Sequence, residues 1–325
     1  MYTSHADCFI HLYVHNHYGM DIPFIFGNKE DSVNLSFFVK LLKKTGYIHS
    51  RRSAKQSLQS KYVNSAMLHE VIKDNKLTMI FQNKERLRTG KFYRRTSADL
   101  SIEWIVDAYQ NMPSVAQNIV IVPVQVSYDR IFEQINFTNH MVPPTQKSQN
   151  LNETFAKTMT FRKDQLGEVF VQYLEPIHLK DFFKQSASQQ KEQISFELTE
   201  QLYLRQQKAS PVTLNSLIAA VLLYERQKSI KMSDLLYISD QIYQYVKKKQ
   251  NSTTLMQVKP QQILVEKHIE GLNFKMENKG KKNCEVLLDN MKDSRNLLSL
   301  AHYSLRLSSV FVFESGYAFV LVNHF

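Results

Sequence analysis

The sequence NIVIVPVQVSY at residues 118–128 is the stretch that decides the fold. Its nearly continuous apolar run predicts a strand buried on both faces, as in parallel sheets that are covered by helices. Three further segments also read as strands: IPFIFG at residues 22–27, LTMIFQ at residues 77–82 and EVFVQYLEPI at residues 168–177. Helical patterns separate them, and such alternation favours a mostly parallel sheet flanked by helices. We therefore predict an α/β fold.

The polar stretch QSASQQKEQ at residues 185–193 predicts a domain boundary. Beyond it the pattern becomes helical, most clearly in residues 212–225 and 294–307. We expect an α/β domain at residues 1–185, followed by a mainly helical region at residues 186–325 that packs against it.

Positive charge is concentrated in one part of the chain. The net charge is +11, and residues 40–95 contain 15 Lys and Arg against three acidic residues, a surplus of 12. A basic segment of this kind indicates an anionic partner, such as a phosphate ester or an acidic lipid headgroup, or else a solvated basic face. No nucleic-acid-binding motif accompanies it, so we expect no nucleic acid as partner.

The sequence gives no indication of a disulfide-rich protein, a metalloprotein or a membrane-spanning protein. Its two cysteines, Cys8 and Cys284, predict neither a disulfide framework nor a CxxC metal site. His11, His15 and His17 fit structural roles on an apolar helix better than a metal site, and we predict no metal and no cofactor. No secretory signal and no run of about 20 apolar residues is present, so membrane contact is expected to be peripheral or through a partner.

Four short blocks carry more specific information, and they occur in a fixed order. They are SHAD at residues 4–7, GYIHSRRS at residues 46–53, FQNKERLRTGK at residues 81–91, and IVPV at residues 121–124 with SYD at residues 127–129. Together they resemble the blocks of the glycerol-3-phosphate / dihydroxyacetone-phosphate acyltransferase family. The family's patterns are H-x-x-x-x-D, a Gly-aromatic strand ending in Arg-Arg, F-x-E-G-T-R-S-R-T-G-K, and an I-P-V strand. The resemblance implies that the first domain is of the acyltransferase type.

The first block departs from the family where the chemistry begins. The resemblance implies acyl transfer to a glycerol hydroxyl, with a His as general base and an Asp that orients it. Asp7 retains the Asp position, whereas Tyr2 occupies the His position. A phenol with a pKa of about 10 is mostly protonated at neutral pH and is a poor base. His5 lies at the wrong offset from Asp7 to replace the missing imidazole.

The third block has lost its central Glu-Gly-Thr. Asn83, Lys84 and Glu85 stand there instead. Lys84 brings a Cβ and a long side chain into a turn where the family has Gly, and Asn83 removes the family's carboxylate. Two independent losses predict that no residue of this chain is catalytic.

The cationic positions of the second and third blocks are better retained. The resemblance implies that they bind the phosphate of the acceptor, and the planar fork of Arg suits phosphate oxygens. A residual phosphate or headgroup site and a plain basic surface both remain open. These five residues are Arg51, Arg52, Arg86, Arg88 and Lys91.

Three functions follow from this pattern. The first is a catalytically inactive, acyltransferase-like structural or accessory subunit of a membrane-protein complex, peripheral to the membrane, with an anionic phospholipid as a further partner. We favour the mitochondrial inner membrane for it, with the peroxisome and the endoplasmic reticulum as other locations. The alternative is an active O-acyltransferase that uses acyl-CoA and glycerol-3-phosphate or dihydroxyacetone phosphate. The third is a lipid- or CoA-binding module that senses without turnover.

Overall fold

The computed structural model describes residues 4, 6–28, 44, 46–50, 58–81, 100–112, 118–131, 167–186, 190–225, 228–249 and 260–311. The helices are α1 (Ala6–His17), α2 (Leu58–Lys73), α3 (Leu100–Asn111), α4 (Leu179–Gln185), α5 (Lys191–Lys208), α6 (Leu214–Tyr224), α7 (Met232–Lys249), α8 (Gln262–Gly271) and α9 (Ser294–Ser304). The strands are β1 (Phe24–Asn28), β2 (Tyr47–Ser50), β3 (Thr78–Ile80), β4 (Val120–Ile121), β5 (Val124–Tyr128), β6 (Val169–Tyr173), β7 (Ile177–His178), β8 (Ser229–Lys231), β9 (Lys275–Glu277) and β10 (Glu285–Leu287). Two 3-10 helices are present at Asp289–Lys292 and Leu305–Ser309.

A small parallel sheet confirms the α/β prediction in part. Its order is β2-β1-β3, and Ile25 pairs with both Tyr47 and Met79. Ile25 and Phe26 are fully buried, because helices cover the sheet as expected for a parallel arrangement. The described part of the chain as a whole is a mixed α/β structure in which helices predominate.

The prediction of one long strand at residues 118–128 is wrong. The stretch divides at Pro123 into β4 and β5, which pair antiparallel with β7 and β6 respectively, outside the parallel sheet. Proline has no N–H to donate to a ladder, so a strand readily breaks there. The carbonyl of Pro123 is still used, since it accepts from Leu174 N–H at 2.9 Å. The two faces of β5 also differ: Val126 and Tyr128 join an apolar cluster, while Gln125 and Ser127 are buried polar residues.

Residues 190–311 confirm the mainly helical C-terminal region. The predicted helix at residues 212–225 is α6, and residues 294–307 form α9 and the start of a 3-10 helix. A small antiparallel sheet of order β8-β10-β9, which the sequence did not predict, lies among these helices. α6 is central because it packs against α7, α8 and α9.

α5 connects this region to the preceding one. Its residues Ile194, Leu198 and Leu202 belong to the same apolar cluster as Trp104 of α3. Lys191 and Asp107 add an ion pair between the two helices. None of the helices in the described part of the chain is long and apolar enough to cross a bilayer.

Candidate functional site around Asp7

Asp7 lies in the first turn of α1 and is completely buried. Its Oδ2 accepts the Ser4 N–H at 3.3 Å, and its own N–H donates to the Ser4 carbonyl at 3.1 Å. The Ser4 hydroxyl oxygen accepts the Ala6 N–H at 3.1 Å, so Ser4 satisfies amides that the helix start leaves open. A carboxylate at this end of a helix is also favoured by the helix dipole.

Tyr128 brings the fourth block of the sequence to the first. It is the last residue of β5, and its hydroxyl donates to Asp7 Oδ1. Both groups are buried, so the hydrogen bond lies away from water, where it is electrostatically stronger. Tyr128 belongs to the fourth sequence block but was not predicted as a site residue, and the SYD motif was the sequence signal that pointed to it.

Burial shifts the pKa values of two neighbours of Asp7 on α1, Cys8 and His11, towards their neutral forms. Burial, with a smaller contribution from Asp7, raises the pKa of the Cys8 thiol to about 12. Burial also lowers the pKa of His11 to about 4, so this imidazole is neutral at pH 7. The rings of His11 and His15 both meet Tyr173 of β6 edge-on. These side chains therefore hold α1 against β6.

Asp129 continues the site beyond the end of β5. Its Oδ2 accepts the Glu168 N–H at 3.2 Å, while its Oδ1 is buried and has no hydrogen-bond partner among the described residues. Burial is the main reason why the pKa of Asp129 rises to about 6. Gly167 packs so closely that a Cβ added there would lie 2.7 Å from Asp129 Cβ.

The C-terminal region supplies side chains to the same place. Arg306 Nη1 donates to the Tyr128 carbonyl at 3.1 Å, and the Tyr303 hydroxyl accepts the Ile131 N–H at 3.2 Å. Asn215 Nδ2 donates to the carbonyl of Asp129. Burial lowers the pKa of Arg306 from its usual value. Burial raises the pKa of Tyr303 to about 12, so this phenol stays neutral near pH 7.

Residues 150–325 match a sequence family described as the glycerol-3-phosphate acyltransferase C-terminal region. This chain belongs to the glycerol-3-phosphate acyltransferase family. The family that the four sequence blocks predicted is thereby confirmed.

Several bacterial relatives, each named glycerol-3-phosphate acyltransferase, support the assignment. One from Pseudomonas aeruginosa is 26% identical over 181 residues, covering 56% of this chain and 21% of the relative. One from Haemophilus influenzae is 25% identical over 281 residues, covering 81% of this chain and 33% of the relative. One from Pseudomonas putida is 23% identical over 325 residues, covering 95% of this chain and 38% of the relative. The chain thus spans about a fifth to two fifths of the length of these acyltransferases.

Of the residues that the sequence placed in the acyltransferase site, the structure describes Asp7 alone. The Asp7–Tyr128 hydrogen bond shows that the first and fourth family blocks meet. Among the described residues, no group of His, Cys, Asp and Glu is arranged to hold a metal ion. The remaining predicted residues lie outside the described residues: Tyr2, Arg51, Arg52, Asn83, Lys84, Glu85, Arg86, Arg88 and Lys91.

Proposed function

We propose that this chain is a non-catalytic member of the acyltransferase family that serves as an accessory subunit of a membrane-associated assembly. The observation that carries the proposal is the environment of Asp7. Its two carboxylate oxygens accept from Ser4 N–H and Tyr128 O–H in a fully buried position, and the family's base position holds Tyr2. A carboxylate bonded in this way supports a structural role for Asp7.

The chemistry of the first block supports the same proposal. In the family pattern, Asp orients a His that takes a proton from the acceptor hydroxyl, and loss of a general base typically lowers the rate by about 10²–10⁴-fold. Tyr2 has too high an ordinary pKa to replace it at neutral pH. Asn83 and Lys84 in the third block remove a second set of family groups.

The test is acyl transfer from acyl-CoA to glycerol-3-phosphate or dihydroxyacetone phosphate with the purified protein. We expect no turnover above that of an Asp7→Ala control. The Tyr2→His variant, which restores the family's residue, is expected to remain inactive because the third block is still altered. Turnover by the unmodified chain that disappears in Asp7→Ala would contradict the proposal.

The basic segment at residues 40–95 supports binding of a phosphate ester or an anionic headgroup. We expect glycerol-3-phosphate or vesicles that contain an acidic phospholipid to bind at low salt and to dissociate as salt screens the charges. Arg51→Ala and Arg86→Ala are expected to weaken binding more than Lys61→Ala or Lys73→Ala. If neither ligand binds at low salt, the basic segment is only a solvated surface and the proposed binding is wrong.

The accessory role has its own test, which does not depend on ligand binding. Family membership and the extended buried cluster of the C-terminal region support a fold that is retained without turnover, and we propose that this fold contacts other proteins at a membrane. We favour the mitochondrial inner membrane as the location. After extraction of this membrane with mild detergent, we expect the chain to migrate on a native gel as part of a stable complex. Migration of the chain alone at its mass of 38.1 kDa would contradict the subunit role.

An active acyltransferase is the second candidate, because Asp7 is retained and the bacterial relatives carry that name. It requires that a group other than Tyr2 take the proton of the acceptor. The turnover assay separates the two candidates directly.

A further inference from the structure

The end of β5 is held by three side chains that come from far along the chain. Asn215, Tyr303 and Arg306 bond to the Asp129 carbonyl, the Ile131 N–H and the Tyr128 carbonyl, respectively. We call these three side chains the β5 clamp. They satisfy backbone groups just where the pairing of β5 with β6 ends at Tyr128. Buried backbone groups that leave a ladder need such partners.

The clamp is deeply buried. Asn215 and Tyr303 are 0% exposed and Arg306 is 8% exposed. A buried guanidinium retains its charge only where hydrogen bonds replace water, and the carbonyl of Tyr128 supplies one of them at 3.1 Å. The geometry of the clamp is therefore costly to disturb.

His268 fixes the orientation of one member of the clamp. Asn215 uses Nδ2 to donate to Asp129, so its Oδ1 is the acceptor that faces His268 Nδ1 at 2.8 Å. His268 must then carry its proton on Nδ1. Burial lowers the pKa of His268 to about 4, which keeps the ring in this neutral, donating form at pH 7.

The clamp connects directly to Asp7. Arg306 holds the backbone of Tyr128, and the hydroxyl of the same Tyr128 donates to Asp7 Oδ1. We propose that the β5 clamp positions the Asp7 carboxylate, through Tyr128, so that the C-terminal region sets the geometry of the N-terminal site. This role concerns how the site is held and does not depend on whether the chain turns over a substrate.

The two cysteines provide reporters on either side of this connection. Cys8 follows Asp7 on α1 and is 7% exposed, whereas Cys284 is 1% exposed within the C-terminal core. Both thiols are free. A thiol reagent such as DTNB reaches a buried cysteine only when its surroundings open, so the rate of modification measures local opening.

The experiment uses two single-cysteine backgrounds, Cys284→Ala to observe Cys8 and Cys8→Ala to observe Cys284. Arg306→Met and Tyr128→Phe are each expected to accelerate modification of Cys8 by roughly tenfold, from the loss of a buried hydrogen bond. Cys284 is expected to react at an unchanged rate, although Arg306 belongs to the same region. Arg306→Lys, which keeps a donor and the charge, should restore much of the protection of Cys8.

Arg295→Met is the matched control, since it removes an exposed Arg of the C-terminal region that bonds to Asp293. It should leave both cysteines unchanged. If Arg306→Met does not fold, Tyr303→Phe and Tyr128→Phe decide, because each removes only a hydroxyl. The proposal is overturned if Cys8 stays protected in the folded variants, or if both cysteines accelerate equally, which would indicate general destabilisation.

Discussion

The N-terminal and C-terminal regions are held together by different means. In residues 212–311 one extended apolar cluster joins α6, α7, α8 and α9. In residues 4–208 the described apolar residues divide into smaller clusters around the parallel sheet, around α3 and α5, and beside β5. Buried polar contacts link these parts, the Asp7–Tyr128 hydrogen bond among them. Burial of apolar surface thus organises the C-terminal region, whereas specific hydrogen bonds organise the site.

The largest effect is expected in the C-terminal core. Leu222 of α6 is 0% exposed and belongs to the extended cluster. Leu222→Ala should lower the free energy of unfolding by about 2–5 kcal/mol, through lost burial and a residual cavity. Urea denaturation monitored by circular dichroism measures it.

Two further substitutions sharpen that result. Val126→Ala, in the small cluster beside β5, should cost less, because it removes two carbon atoms where Leu222→Ala removes three and because its cluster is smaller. Leu204→Ala, at an exposed position of α5, should change stability little. Equal losses at Leu222 and Val126 would contradict the difference between the regions.

Acid should destabilise both regions, through the buried His11 in the N-terminal region and the half-buried His268 in the C-terminal region. The pKa of His11 and that of His268 are both lowered to about 4, chiefly by burial. The stabilisation from a neutral His is complete above its unfolded pKa of about 6.5 and is lost as the pH falls through the folded value, up to about 3 kcal/mol for each. His11→Gln and His268→Gln should each flatten the loss of stability between pH 6.5 and 4.

Asp129 should have the opposite effect on how stability depends on pH. Its pKa is raised to about 6, so its contribution is present at low pH and is lost as the pH rises through that value. Asp129→Asn should therefore steepen the acid destabilisation between pH 6.5 and 4. Unfolding curves that have the same pH dependence in wild type, His268→Gln and Asp129→Asn would contradict these assignments.

A smaller effect is expected from crowding at the site. Gly167→Ala imposes a left-handed backbone at φ +70° on Ala and brings its Cβ to 2.7 Å from Asp129 Cβ. Gly280→Ala carries the same backbone cost at φ +74° but meets nothing within 4 Å. The backbone cost is about 1–2 kcal/mol in both variants, so any excess for Gly167 measures the contact with Asp129. Equal losses of stability in Gly167→Ala and Gly280→Ala would show that Asp129 moves aside to accommodate the added Cβ.

The smallest effect is expected at the surface. Asp293 caps α9 through the Arg295 N–H and also binds the Arg295 guanidinium, but both side chains are exposed. Arg295→Met should leave the midpoint of urea unfolding unchanged, because exposed ion pairs contribute little. Asp293→Ala should lower it, since the helix also loses its N-cap acceptor. A large effect of Arg295→Met would show that polar surface contacts also organise the C-terminal region.

The sequence predicted the local elements better than their partners. Apolar runs and flanking turn residues located β1, β3 and the helix α6. The run at residues 118–128 was misassigned, because hydrophobicity alone does not report which strand will pair with it or that Pro123 divides it. Asp7 was assigned from its block, whereas its hydrogen bond to Tyr128 links residues that are 121 positions apart and follows no periodicity.

By itself, the sequence determined the family, the presence of Tyr2 in place of the family's His, and the basic character of residues 40–95. These properties depend on residue identity and order, which folding does not alter. Only the tertiary structure decided that Arg306 holds Tyr128 and that Tyr128 holds Asp7. Such contacts arise because buried polar groups must find partners wherever the packing of helices and strands brings donors and acceptors together.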